Sequence, residues 1–106
     1  MANYNHITLV GNLSSDITLK SIGNKTKGNF TLRCNQDKPN NDLYDDFNIV
    51  CWGKLAEVSG TYLSKGKKVL VDGRVQVRTY KDKDERKWIT EVIVENIKFL
   101  KTEVIK

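Results

Sequence analysis

A chain of 106 residues, 39% of them hydrophobic, is long enough for one domain with a single core and short for two. Its net charge of +5 favours an anionic partner, although solubility alone accounts for an excess of this size. Cys34 and Cys51 form no CxxC pair and His6 is the one histidine, so the ligands of an ordinary zinc site are missing. Both cysteines read as reduced thiols, small buried hydrophobes on strands of a cytoplasmic protein, with a disulfide between them as the alternative. No metal and no cofactor are expected. The N-terminus lacks a basic stretch followed by an apolar run, and no segment of about 18 apolar residues occurs, so no membrane association is expected.

In chain order, period-two alternation and β-branched residues predict an all-β domain over residues 1–106 with one helix. Ile7 to Val10 opens a strand reaching Gly11, and Ile17 to Lys20 is expected to continue it after a kink at Asn12–Asp16. Gly23 to Gly28 reads as a turn. In the next strand Phe30, Leu32 and Cys34 alternate with Thr31, Arg33 and Asn35, leaving one face apolar and the other free to meet solvent or a ligand. Residues 37–46, with Pro39, Asn40, Asn41 and Asp42, read as a loop, and a strand follows from about Asp46 to Trp52. Leu55, Val58 and Tyr62 fall at helical spacing, with Gly66 as a stop. Val69 to Lys81 and Trp88 to about Ile97 then form a hairpin joined by the charged segment Lys81 to Lys87. Five strands with a short helix after the third match the OB-fold, a partly open five-stranded Greek-key barrel, though the pattern alone admits another small barrel.

Catalytic chemistry finds no footing. A triad or a general acid–base pair needs partners, while the single histidine sits near an end and the carboxylates gather in loops. Asp42, Asp45 and Asp46 could be imagined as a metal cluster for a nuclease, but acidic loop residues of this kind are ordinarily solvated. More informative is Arg74 to Tyr80, where Arg74, Gln76, Arg78 and Tyr80 share one strand face and Val75, Val77 and Thr79 the other. A basic face with an aromatic ring suits single-stranded nucleic acid, in which guanidinium groups meet phosphates and the ring stacks on any base; the alternative is a solvated barrel exterior. Residues 65–81 carry six cations against Asp72, whereas residues 37–46 carry Lys38 against four aspartates, so the basic side lies at the helix exit and the following strand. Trp52, before Gly53 and Lys54, is either core filling or a stacking platform, and Trp88 at the base of the charged hairpin presents the same choice.

The segments Ile7-Thr-Leu-Val-Gly-Asn-Leu13, Phe30-Thr-Leu32, Trp52-Gly-Lys-Leu-Ala-Glu-Val58, Tyr62-Leu-Ser-Lys-Gly66, Val71-Asp-Gly-Arg74 and Thr90-Glu-Val92 resemble, in order and spacing, the bacterial-type single-stranded DNA-binding protein (SSB) family. The resemblance implies an OB-fold, a homotetramer or else a dimer, and single-stranded DNA wrapped over aromatic and basic residues in replication, recombination or repair. By matched position it implies stacking roles for Trp52 and Tyr80. Arg33, Lys54, Arg74 and Arg78 are candidate phosphate contacts, resting more on strand-face reasoning than on motif identity. The family commonly has an aromatic residue six positions before the one matched by Trp52; here Phe47 lies five before it, which puts Phe47 on the opposite face unless a bulge intervenes, so core and base platform both stand open for it. Tyr44 is the nearest aromatic to the loop where some relatives carry a tryptophan, and it is not assigned a role. The chain ends Leu100-Lys-Thr-Glu-Val-Ile-Lys106 without the acidic tip that recruits partner proteins, so recruitment of that kind is not expected. Two rival readings are a dimeric accessory of primosomal or recombination assemblies and an OB-fold adaptor whose basic face meets an acidic protein.

Overall fold

A computed structural model describes residues 3–36 and 43–101. The elements are β1 (Ile7–Leu13), β2 (Thr18–Ile22), β3 (Lys25–Asn35), β4 (Tyr44–Trp52), α1 (Lys54–Tyr62), β5 (Lys68–Asp82) and β6 (Glu85–Leu100). They form one sheet in the order β1-β5-β6-β4-β3-β2, which an additional β1–β3 pairing closes into a barrel. Every pairing is antiparallel except β4 with β6. Five strands closed in this way, with a helix between the third and fourth of them, make the OB-fold.

The strand count is six because the first expected strand is interrupted. Residues 18–22 form β2, which continues β1 in the same direction along the same edge of β3, as expected after a kink, and its turn at Gly23 and Asn24 is shorter than the one expected over residues 23–28; the ladder is broken over residues 14–17, so β2 is a separate strand. The cause is a polar corner at residues 14–16. The Ser14 amide donates to the Thr31 carbonyl at 2.9 Å, the Thr31 amide donates to Ser15 Oγ at 3.1 Å, and the Lys65 amide donates to Asp16 Oδ1 at 2.8 Å. These bonds pin the kinked segment between β1 and β2 to β3 and to the segment after α1, and the chain keeps its direction along the edge of β3. Strand β4 likewise begins earlier than expected, at Tyr44, while residues 37–42 of the expected loop lie outside the described residues.

The alternation seen along the sequence supplies the core. Leu13, Phe30, Leu32, Ile49, Cys51, Val69, Val71, Val92 and Val94 fill the barrel, and Ala56 and Leu63 close one end. The two cysteines are free; burial pushes the Cys51 thiol up to about 11, and burial, with Asp45 and Asp46 adding to it, raises that of Cys34. The helix buries Ala56 and Ser59, with Leu63 just beyond its end; the apolar stripe expected from Leu55, Val58 and Tyr62 is rotated by one position. Small side chains let α1 approach the barrel closely, whereas Tyr62 lies exposed with its ring 5.8 Å from that of Phe99. At the β5–β6 corner the register shifts between Asp72 and Gly73, and a Cβ at Gly73 would collide with the Ile93 carbonyl oxygen, so the bend requires glycine.

Strands β5 and β6 remain paired out to Asp82 and Glu85, leaving Lys83 and Asp84 as a two-residue turn rather than the longer charged tip expected. Both have positive φ, 53° and 67°, the type I′ arrangement that matches strand twist and favours Asn-Gly. Replacing them together, Lys83→Asn with Asp84→Gly, relieves left-handed strain and is expected to raise stability by about 1 kcal/mol. Thermal melting checks this, with an increase on the order of 4–8 °C expected; an unchanged or lower midpoint contradicts it.

Candidate nucleic-acid interface

Residues paired directly across antiparallel strands point to the same face, so the register defines the outer surface. Across β3 and β4 it sets Lys27 beside Trp52, Thr31 beside Asn48, Arg33 beside Asp46 and Asn35 beside Tyr44. The β4–β6 seam carries that face onward from Asn48 to Glu91. Across β6 and β5 it continues from Glu91 to Gln76, from Ile89 to Arg78 and from Lys87 to Tyr80. One continuous band results, with Trp52 at one end and Tyr80 at the other. They stand eight strand residues apart in register, about 27 Å at ~3.4 Å per residue.

Trp52 is 37% exposed and belongs to this surface rather than to the core; the Lys27 ammonium lies 5.5 Å from its ring centroid. It can stand there because Gly53, with φ 64°, turns the chain sharply into α1 as its amide donates to the Thr26 carbonyl at 2.8 Å. Lys54, exposed, opens the helix at this end, and exposed Arg74 lies on the same face of β5, opposite Ile93. Tyr80, 42% exposed, holds the other end on the hairpin arm.

Between the rings lies a hollow of about 360 Å³. Ser15 and Asp16 of the β1–β2 corner form one wall, and Asn29, Asn48, Arg78 and Glu91 contribute polar groups to it. Arg78 donates from Nε to Glu91 Oε1 at 2.9 Å and from Nη2 to Oε2 at 3.4 Å. Arg33 makes the same two-pronged contact with Asp46, at 3.0 and 3.2 Å, while its guanidinium stacks 3.6 Å from the Tyr44 ring centroid. That hydrogen bonding holds the Asp46 carboxyl below its ordinary range.

Two candidates fall elsewhere. Phe47 pairs with Leu32 on the inner face and packs half-buried against the core, because β4 has no bulge to reverse its parity. Asp46, six residues before Trp52, occupies the outer position instead. Trp88 sits opposite Thr79, on the other side of the hairpin from Tyr80, and is 65% exposed. With Ile7, Phe47 and Val75 it borders a separate hollow of about 410 Å³. Tyr44, left unassigned above, does lie on the outer face, and its even separation from Trp52 along β4 was the available signal. Asn48 shares that even separation, but its place at the seam, like that of Glu91, follows from the β4–β6 pairing.

Among the described residues no group of three or more His, Cys, Asp or Glu is placed to hold a metal ion. Of the acidic cluster considered above, Asp46 is engaged by Arg33, Asp45 faces the other side of β4, and Asp42 lies outside the described residues. No helix among the described residues is long and apolar enough to cross a membrane.

An OB barrel with aromatic rings at the two ends of its outer sheet face, and cations and amides between them, belongs to the barrels that offer that face to an extended ligand. Residues 4–100 match the model of the family described as "Single-strand binding protein family", and the chain belongs to that family. It is 43% identical over 101 residues to "Single-stranded DNA-binding protein 2" of Clostridium acetobutylicum, covering 91% of this chain and 76% of the relative. "Single-stranded DNA-binding protein 1" of the same organism is 40% identical over 105 residues, covering 92% and 94% respectively. "Single-stranded DNA-binding protein 2" of Staphylococcus aureus strain Mu50 is 42% identical over 101 residues, covering 91% and 72%.

The Arg33–Asp46 contact has a direct titration signature. With its folded value lowered, the pair contributes stability above the ordinary carboxylate value, and that contribution is lost as pH falls through the folded value. An NMR titration of the Asp46 carboxyl is expected to give a midpoint below about 3.9, and Arg33→Ala should bring it back toward that value. A midpoint unmoved by Arg33→Ala contradicts the assignment.

Proposed function

We propose that the outer face binds single-stranded DNA with little sequence preference, as a protecting protein of replication, recombination or repair, and that the chain is a single cytoplasmic binding domain without catalysis. The observation that carries this reading is the alignment of Trp52, Arg74, Arg78 and Tyr80 on one band of the barrel in a member of this family. Trp52 and Tyr80 stack on bases. Each ring accepts any base, because every base has a π-face. The length between them accommodates about 4 nucleotides, the lower end of OB-fold site sizes. Lys27, Lys54 and Arg74 have no carboxylate partner among the described residues and supply the phosphate attraction. Three such contacts predict that log affinity falls against log salt with a slope near −2, at about 0.7 per contact.

The test is a fluorescence titration with poly-dT alongside thermal melting. Trp52→Ala and Tyr80→Ala are each expected to weaken binding by roughly 1–3 kcal/mol. Neither ring is buried, so melting should stay close to the parent's, unlike the loss of about 3–5 kcal/mol that follows truncation of a packed tryptophan. If both variants bind as the parent does, the face is wrongly assigned.

A homotetramer is the proposed assembly. Beyond the family resemblance, its support is the edge of β1: residues 7–11 pair with β5 on one side, whereas β3 takes up Asn12 and Leu13 on the other. Light scattering at micromolar concentration should give about four times the 12.1 kDa chain mass; a value near one chain overturns the proposal.

A further inference from the structure

Two of the three arginines of the outer band, Arg78 and Arg33, are engaged before any ligand arrives. Glu91 takes the Nε and Nη2 edge of Arg78, and Asp46 takes the same edge of Arg33. This is the fork with which a guanidinium grips two phosphate oxygens. The carboxylate of Glu91 is 7% exposed beneath an Arg78 side chain that is 46% exposed, so a phosphate reaching that guanidinium meets a negative charge directly behind it. Fold stability gives little reason for either acid. An exposed pair such as Arg33–Asp46 contributes little, and burying a carboxylate such as that of Glu91 carries a desolvation penalty that its pairing must offset. Glu91 is flanked in register by Gln76 and Asn48, where a neutral amide would accept the same hydrogen bond from Arg78.

We propose that Glu91 and Asp46 are built-in competitors of the DNA phosphates, which hold Arg78 and Arg33 on the binding face while lowering its affinity for single-stranded DNA. The proposal rests on the outer face being the DNA site. Each acid cancels one cation locally, so phosphates passing there keep their condensed counterions and the measured salt dependence understates the number of basic residues. The consequence is a weaker and more readily released complex than the arginines alone would form.

The test compares Glu91→Gln and Asp46→Asn with the parent on poly-dT across a salt series, with melting temperatures alongside. Each variant is expected to bind about fivefold more tightly near 0.1 M salt and to steepen the salt slope by about 0.7, the contribution of one single-strand phosphate contact. Asp46 is exposed, so Asp46→Asn carries the test if Glu91→Gln fails to fold. Unchanged or weaker binding with an unchanged slope overturns the proposal, because the acids then only position the arginines. That result is separable from failure of the DNA site itself: Trp52→Ala and Tyr80→Ala still weaken binding in the first case and have no effect in the second.

Discussion

The barrel depends on a seam in which β4 and β6 run parallel for three residues each, Asn48 to Val50 against Glu91 to Ile93. Without it the β3–β4 and β5–β6 ribbons would be joined only through β1, which pairs with β5 over six residues but with β3 only at Asn12 and Leu13. With it, Ile49 and Val92 meet inside while Asn48 and Glu91 meet outside. The seam therefore does two things at once: it completes the apolar interior and it joins two half-faces into one band. A slip of one residue would exchange these sets, placing Ile49 in solvent and Asn48 in the core, so burial of the apolar set holds the outer face in register.

Rigidity is unevenly distributed over that band. Near Trp52 the strand is tied to β3 and leads directly into a helix that packs on the barrel. Toward Tyr80 the β5–β6 arm runs beyond the interior, and residues 77–88 contribute no buried side chain. What steadies the arm lies at its root. Asn5 bonds the backbone of Val75 in both directions, at 2.7 and 2.9 Å, and Thr8 Oγ1 donates to Asp72 at 2.5 Å just before the glycine bend. One ring thus stands on the barrel and the other on an arm with few buried contacts, the kind of segment that adjusts at low energetic cost.

Electrostatics shape the band as much as topology does. A net charge of +5 suggests a simple cationic surface, yet on this face Arg33 and Arg78 are matched by acids, and the uncancelled cations are Lys27 and Lys54 toward the Trp52 end and Arg74 on β5. Counting basic residues along the chain therefore overstates the positive charge that a polyanion meets. The pairing also fixes the guanidinium planes, one of them against the Tyr44 ring, which gives the face a defined geometry.

Local periodicity was enough to separate inner from outer residues in β3 and β5, so Phe30, Leu32 and Cys34 on one side and Arg74, Gln76, Arg78 and Tyr80 on the other could be read directly. The parity of Phe47 against Trp52 was legible in the same way, with the bulge as the one open alternative. Where chain segments meet was not legible, because an alternating strand names its faces without naming its neighbours. The kink between β1 and β2 was legible, but the hydrogen bonds that pin residues 14–16 to segments far along the chain were not, and the buried stripe of α1 was selected by the small residues that allowed close approach. The Arg33–Asp46 and Arg78–Glu91 pairs belong to the same category, since each joins residues 13 apart whose proximity arises from cross-strand register. Sequence alone thus determined the kind of surface each strand carries, through the two-residue repeat of the extended backbone. Tertiary structure decided which of those surfaces are continuous and which charges remain uncancelled, because both depend on pairings between distant segments.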